Sequence, residues 1–137
     1  MNLIIPITID GNRLYELTVK GKKETRASWH GRGGLEHRYF TEKVKQAYEA
    51  IDGTVWLEKE DIDLVIELDE KRIAIEIETG KSDIKKNLQK LNTFLADDKY
   101  IVATNKETQI RINQIIKSLP SHQKIISLFV KDFIQNI

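Results

Sequence analysis

The sequence has no cysteine among its 137 residues, so disulfide bonds, zinc–thiolate sites and thiol nucleophiles are excluded. It has no apolar run of the roughly twenty residues that a membrane-spanning helix needs. The apolar stretch at the N-terminus is too short for a signal peptide, and no basic residue precedes it. Aromatic residues make up only 7%, which leaves little material to line a sugar-binding groove. These absences predict a cytoplasmic protein without membrane contacts and disfavour a carboxylate-based glycosidase.

Neither sign of charge predominates, because 22 Lys and Arg accompany 21 Asp and Glu, giving a net charge of +1. Composition as a whole therefore indicates no particular nucleic-acid partner. The charges are nevertheless unevenly distributed: basic residues concentrate between positions 20 and 38, and acidic residues between positions 58 and 78. A basic segment beside an acidic centre suits a metal-using enzyme that acts on nucleic acid.

The length fits a single domain. Two short β-like runs at 3–8 and 13–20, joined by the turn Asp10-Gly11-Asn12, predict an N-terminal hairpin. A basic, glycine-bearing loop follows. Residues 1–34, the hairpin and the loop, are expected to belong to the same domain as the core at residues 35–137.

Hydrophobic periodicity in the core predicts the order α-β-β-β-α-β-α-β. Helices are expected at 35–51, 82–96 and 107–119, strands at 54–57, 62–68, 72–78, 100–104 and 124–130, and a terminal helix at 132–137. Ser82 is the expected N-cap of the second helix. The apolar stripes of the first two helices are Phe40, Val44, Ala47 and Ile51, and Ile84, Leu88, Leu91 and Leu95. Helices between the later strands favour parallel pairing, and the apolar run at 100–104 predicts a strand buried on both faces.

Three carboxylates alternate onto one face of two neighbouring strands: Asp63 on the first, Glu76 and Glu78 on the second. A hairpin register that places Asp63 opposite Glu78, and Val65 opposite Glu76, would crowd them together. Such crowding calls for raised pKa values or for a hard cation such as Mg²⁺ or Mn²⁺. The alternative is a solvated sheet face, on which alternating acids are common.

Two further features flank these carboxylates. Glu36 precedes the apolar stripe of the first helix at helical spacing, so it is expected on the side that faces the sheet. The tight turn Thr79-Gly80-Lys81-Ser82 would bring Lys81 and Lys85 near the end of the second strand.

With Glu36, Asp63 and the triplet Glu76-Ile77-Glu78 in this order of elements, the chain resembles the PD-(D/E)xK nuclease superfamily. This is the family of restriction endonucleases and archaeal Holliday-junction resolvases, and the resemblance covers roughly residues 35–130. It implies an α/β, restriction-endonuclease-like αβββαβ core, a mixed central sheet flanked by helices. Ile62 stands where the family has proline, a common loss.

The second departure from the family's pattern is Glu78, which stands where lysine is usual. Some restriction enzymes carry glutamate there and remain active. Alternatively the lysine has migrated, and Lys81 and Lys85 are the nearest candidates. A third possibility is a nucleic-acid-binding module that keeps the fold and has lost catalysis.

The resemblance implies a metal-dependent DNA endonuclease that hydrolyses a phosphodiester bond. The implied catalytic residues are Glu36, Asp63, Glu76, Glu78 and Lys81. Asp63, Glu76 and the backbone carbonyl of Ile77 would bind Mg²⁺ or Mn²⁺, and Glu36 would support a second ion. Glu78 would orient or deprotonate the attacking water, while Lys81 or Lys85 would offset charge at the transition state.

Basic and histidine side chains around this centre are the expected contacts with DNA. They are Arg26, His30, Arg32, His37, Arg38, Lys85, Lys86 and Lys90. For any single lysine a solvated surface charge is the more common outcome. The expected assembly is a homodimer or a part of a larger DNA-processing complex.

Overall fold

The computed structural model describes residues 4–9, 12–17, 34–119 and 124–137. The chain separates into two units, Met1–Arg38 and Tyr39–Ile137. In the first unit, β1 (Ile4–Ile9) and β2 (Asn12–Leu17) form an antiparallel two-stranded sheet, which confirms the predicted N-terminal pair of strands. The basic loop that follows lies outside the described residues.

The second unit is an α/β structure with a five-stranded mixed sheet flanked by helices. The strands, in sheet order, are β3 (Thr54–Lys59), β4 (Ile62–Leu68), β5 (Lys71–Glu78), β6 (Asp98–Ala103) and β7 (Ile125–Phe129). The helices are α1 (Leu35–Glu49), which begins in the first unit, α2 (Ile84–Thr93), α3 (Lys106–Ser118) and α4 (Val130–Gln135). The first three strands pair antiparallel, and β5, β6 and β7 pair parallel, so the predicted element order and parallel pairing are confirmed.

Apolar side chains cover both faces of this sheet. On one face, sheet residues such as Ala74 and Ile101 form a core with Ile84, Leu88 and Leu91 of α2 and Ile112 of α3. On the other face the ring of Phe133 in α4 lies 5.1 Å from Tyr100 and 6.3 Å from Tyr48 of α1. Because successive strand residues point to opposite faces, Glu76 and Glu78 share the α2 face with Ala74.

Both antiparallel connections are two-residue turns made without glycine. Glu60-Asp61 joins β3 to β4, and Asp69-Glu70 joins β4 to β5; their φ angles are 50° and 70°, and 52° and 64°. Two successive positive φ values characterise the type I′ turn, whose twist matches that of the strands it joins. Turns of this type usually contain Gly, Asn or Asp, and here each has one Asp beside a Glu, with no glycine at either central position.

The β4–β5 register differs from the predicted one. Leu68 pairs with Lys71 across the turn, and Val65 pairs with Ala74 rather than with Glu76. The prediction that Asp63 faces Glu78 is therefore also wrong. The cause is the length of the turn. With only Asp69 and Glu70 between the strands, each β4 residue pairs with a β5 residue two positions earlier than predicted.

Two predicted core positions and one predicted cap are wrong. Ile51 and Leu95 are 45% and 85% exposed because α1 and α2 end earlier than their periodicity suggested. Tyr48 supplies the last buried position of α1. The N-cap of α2 is Asp83, whose carboxylate accepts a hydrogen bond from the N–H of Lys86, and not Ser82. Among the described residues, none of the helices combines the length and apolar character required to cross a membrane.

The Asp69-Glu70 turn generates a stability prediction. A residue with a Cβ atom at positive φ costs roughly 1 kcal/mol relative to glycine. We expect Glu70→Gly to raise the free energy of unfolding by about that amount, measured by urea denaturation. Glu70→Ala is the matched control because it removes the charge and keeps the Cβ. Equal stability of the two variants would contradict the strained-turn interpretation.

Candidate active site

The backbone pairing of β4 with β5 ends at Leu64 and Ile75. Beyond that point, the N–H of Asp63 donates to Glu76 Oε2 at 3.0 Å, and the N–H of Ile77 donates to Asp63 Oδ2 at 2.8 Å. Each strand therefore lends a carboxylate to the backbone of the other. The exchange satisfies two buried donors and fixes both carboxylates at the end of the paired region.

Both of these carboxylates are removed from solvent, Asp63 being 7% and Glu76 1% exposed. Burial raises the pKa of Glu76 to about 9, assisted by hydrogen bonding to the Asp63 side chain and by repulsion from its charge. Lys90 acts in the opposite direction but does not outweigh the loss of water around the charged form. Burial and the neighbouring Asp63 therefore favour the protonated form of Glu76 when no cation is bound.

Lys90 of α2 supplies a positive charge at this pair. Its Nζ lies 2.7 Å from Glu76 Oε1, donates to the carbonyl oxygen of Asp61 at 2.8 Å, and lies 3.7 Å from Asp61 Oδ2. From the sequence, Lys90 is expected to contact phosphate, and Lys81 and Lys85 are the lysines expected nearest the end of β5. In the structure Lys81 and Lys85 are exposed, and Lys90 is the lysine on Glu76.

Glu78 is fully buried and faces the beginning of α2. Its Oε1 accepts a hydrogen bond from Asn87 Nδ2 at 2.9 Å, and its Oε2 accepts one from the N–H of Gly80 at 2.9 Å. The hydroxyl of Ser82 lies within hydrogen-bonding distance of both oxygens and also accepts a bond from Asn87 Nδ2 at 3.2 Å. Neutral donors from the turn and from α2 thus engage the whole Glu78 carboxylate.

The turn between β5 and α2 depends on Gly80, whose φ is 94°. A Cβ at this position would lie 2.5 Å from the hydroxyl oxygen of Thr108 in α3. Thr108 and the N-cap Asn105 both donate side-chain hydrogen bonds to the carbonyl oxygen of Thr79. The first turns of both helices are therefore fixed close to the end of β5.

Of the other predicted site residues, some belong to the first unit, one is exposed on α2, and some lie outside the described residues. Glu36, His37 and Arg38 are half-buried in the first turn of α1, within the first unit, and their roles stay predictions. Lys86 is exposed on α2. Arg26, His30 and Arg32 lie outside the described residues. The structure brings together Asp63, Glu76 and the backbone of Ile77, with Glu78 one alternation farther along β5.

Asp63 and Glu76 provide oxygen donors of the kind that Mg²⁺ and Mn²⁺ prefer. Within the described residues, Glu76 Oε1 is buried without a hydrogen bond of good geometry, although Lys90 Nζ lies beside it. No group of three or more candidate ligand side chains occurs in the part of the chain that the structure describes. Two carboxylates nevertheless fit Mg²⁺, which commonly takes one or two from the protein and the remainder from water and phosphate.

Comparisons with known proteins return no relative. The chain matches no protein-family model, no curated protein and no solved structure.

The raised pKa of Glu76 predicts a pH dependence of stability. The folded protein keeps this proton up to about pH 9, while the unfolded chain loses it near 4.5, so stability falls as pH rises between these values. A single proton contributes a slope of about 1.4 kcal/mol per pH unit. In chelator, urea unfolding should show a smaller loss for Glu76→Gln than for the wild type as pH rises from about 6 to about 8.5.

The exposed Glu107→Gln serves as the control for this measurement, and it should follow the wild type. If the curves of the wild type and Glu76→Gln ran parallel with pH, the proton would not be on Glu76.

Proposed function

We propose that this protein is a metal-dependent DNA endonuclease of the restriction-endonuclease-like fold, with Asp63 and Glu76 as its metal ligands. One observation carries the proposal: two buried carboxylates meet at the end of the β4–β5 pairing with a lysine on one of them. Burying acidic groups costs free energy that no apolar contact returns, so their retention favours a chemical use. The order of elements in the second unit also supports the family resemblance.

The backbone bonds to Asp63 and Glu76 preorganise the ligand oxygens, as outer contacts do in other metal sites. A bound Mg²⁺ or Mn²⁺ supplies neutralisation of the phosphate and acidification of a water molecule. Binding requires Glu76 to lose its proton, because the ligand form is the carboxylate. The carbonyl of Ile77 and the side chain of Glu36 stay predicted additional ligands.

Lys90 is the residue that we assign the role first predicted for Lys81. Its ammonium reaches Glu76 from α2, so it can offset negative charge on a phosphoryl group bound beside that carboxylate. The missing lysine of the triplet is then replaced in space by a residue of the following helix. Lys85 and Lys86, exposed on the same helix, are suited to contact the DNA backbone.

The second candidate function is a catalytically inactive nucleic-acid-binding module, alone or within a larger DNA-processing complex. The contact between Lys90 and Glu76 favours it, because the Lys90 ammonium lies 2.7 Å from Glu76 Oε1, an oxygen that a metal ion would otherwise contact. The two functions differ in whether the protein cleaves DNA when a divalent cation is added or only binds the DNA.

The test is cleavage of labelled duplex, single-stranded, flap and four-way-junction DNA with Mg²⁺ or Mn²⁺, against a chelator control. We expect metal-dependent cutting that falls at least about a hundredfold in Asp63→Asn and in Lys90→Gln. The exposed replacements Asp132→Asn and Lys117→Gln are matched controls for the loss of one charge and should cut normally.

Intact cutting by Asp63→Asn would remove the proposed site. Salt-sensitive binding of one DNA form without any cutting would instead support the inactive binding module. Calorimetric titration of the DNA-free protein with Mn²⁺ separates these outcomes further. If the protein is the proposed nuclease, the wild type should bind the ion and Asp63→Asn should not.

A further inference from the structure

Glu78 stands at the triplet position where the family has lysine, and its surroundings indicate what it does. No part of its carboxylate is exposed, and its oxygens accept bonds from Gly80, Ser82 and Asn87. A general base needs a free oxygen directed toward a water molecule. The Glu78 oxygens are directed instead at the turn and at helix α2.

The second relevant feature is the polar contact line between β5 and α2. Glu76 and Glu78 lie two residues apart on one face of β5, and they contact Lys90 and Asn87 respectively. Asn87 and Lys90 are three residues apart, so they are neighbours on one side of the helix. Glu78, which is nearer the turn, thus contacts Asn87, the helix residue nearer the turn. Glu76, which is farther from the turn, contacts Lys90.

We propose that Glu78 is a positioning residue. Its hydrogen bond with Asn87 fixes the rotation of α2 about the helix axis, and this rotation directs Lys90 to Glu76. The apolar residues Ile84, Leu88 and Leu91 bury the neighbouring stripe of the helix. Hydrophobic contact is non-directional, so it constrains the rotation of the helix about its axis less than hydrogen bonds do. The directional bonds of Asn87 fix that rotation. Glu78 then acts on the site through α2 and takes no proton from water.

This inference rests on the proposed function for its activity readout, and a second readout is independent of it. The first variant is Asn87→Ala, which removes the bond to Glu78 and leaves the Glu78 carboxylate intact. If Glu78 positions Lys90, the cleavage rate should fall about tenfold or more, as expected for loss of a coupled hydrogen-bond pair. If Glu78 is the base, the rate should change little.

The second arm is an exchange of partners. In Glu78→Gln alone, the new amide group faces donors that the carboxylate accepted from. In Asn87→Asp alone, two carboxylates face each other. Each single variant should lose about tenfold in cleavage rate. In the double variant the amide of residue 78 can donate to the carboxylate of residue 87, so the rate should return to within about threefold of the wild type. Asn113→Asp, exposed on α3, is the control for the added charge.

The independent readout is the ammonium signal of Lys90 in ¹H–¹⁵N spectra of the metal-free protein, assigned with Lys90→Gln. It should be seen in the wild type, lost in both single variants and restored in the double variant. Restored rate and signal support the proposal. A double variant as slow as Glu78→Gln, or a Lys90 signal that persists in both single variants, overturns it.

If the wild type cuts no DNA, the proposed function fails, and the ammonium signal alone still decides the positioning role. If Glu78→Gln does not fold, Asn87→Ala provides both readouts without altering Glu78.

Discussion

The site depends on two hydrogen bonds between β4 and β5, from the N–H of Asp63 to Glu76 and from the N–H of Ile77 to Asp63. Each carboxylate takes a backbone N–H from the opposite strand at the point where the ladder of β4 and β5 ends. A strand end of this kind normally passes its unpaired amides to water. Here the amides are buried, so the carboxylates cannot be replaced by apolar groups without leaving donors unsatisfied.

The short Asp69-Glu70 turn is the cause of that arrangement. With two residues in the turn, Leu68 pairs with Lys71, and the register carries Asp63 to the level of Glu76. A longer loop would shift β5 and separate the two acids. The chemistry at one end of the strands therefore depends on backbone angles at the other end, five paired positions away.

Sequence patterns predicted the element order, the parallel strands and the shared face of the carboxylates, because each follows from local periodicity. The register did not follow, since Glu70 stands where a type I′ turn usually has glycine, and the length of the turn was therefore not evident. Lys90 was predicted to contact DNA phosphate, and its position on Glu76 was not predicted. Only the tertiary structure shows that the ammonium group of this residue reaches Glu76 on the neighbouring strand.

The contact of Lys90 with both Glu76 and Asp61 restricts how this chain can diverge. One ammonium satisfies a carboxylate of β5 and a carbonyl of the β3–β4 turn, so a change at position 90 exposes two strands to loss of a partner at once. Positions 76 and 90 are therefore expected to change together, whereas residue 61 supplies its main-chain carbonyl whatever its side chain.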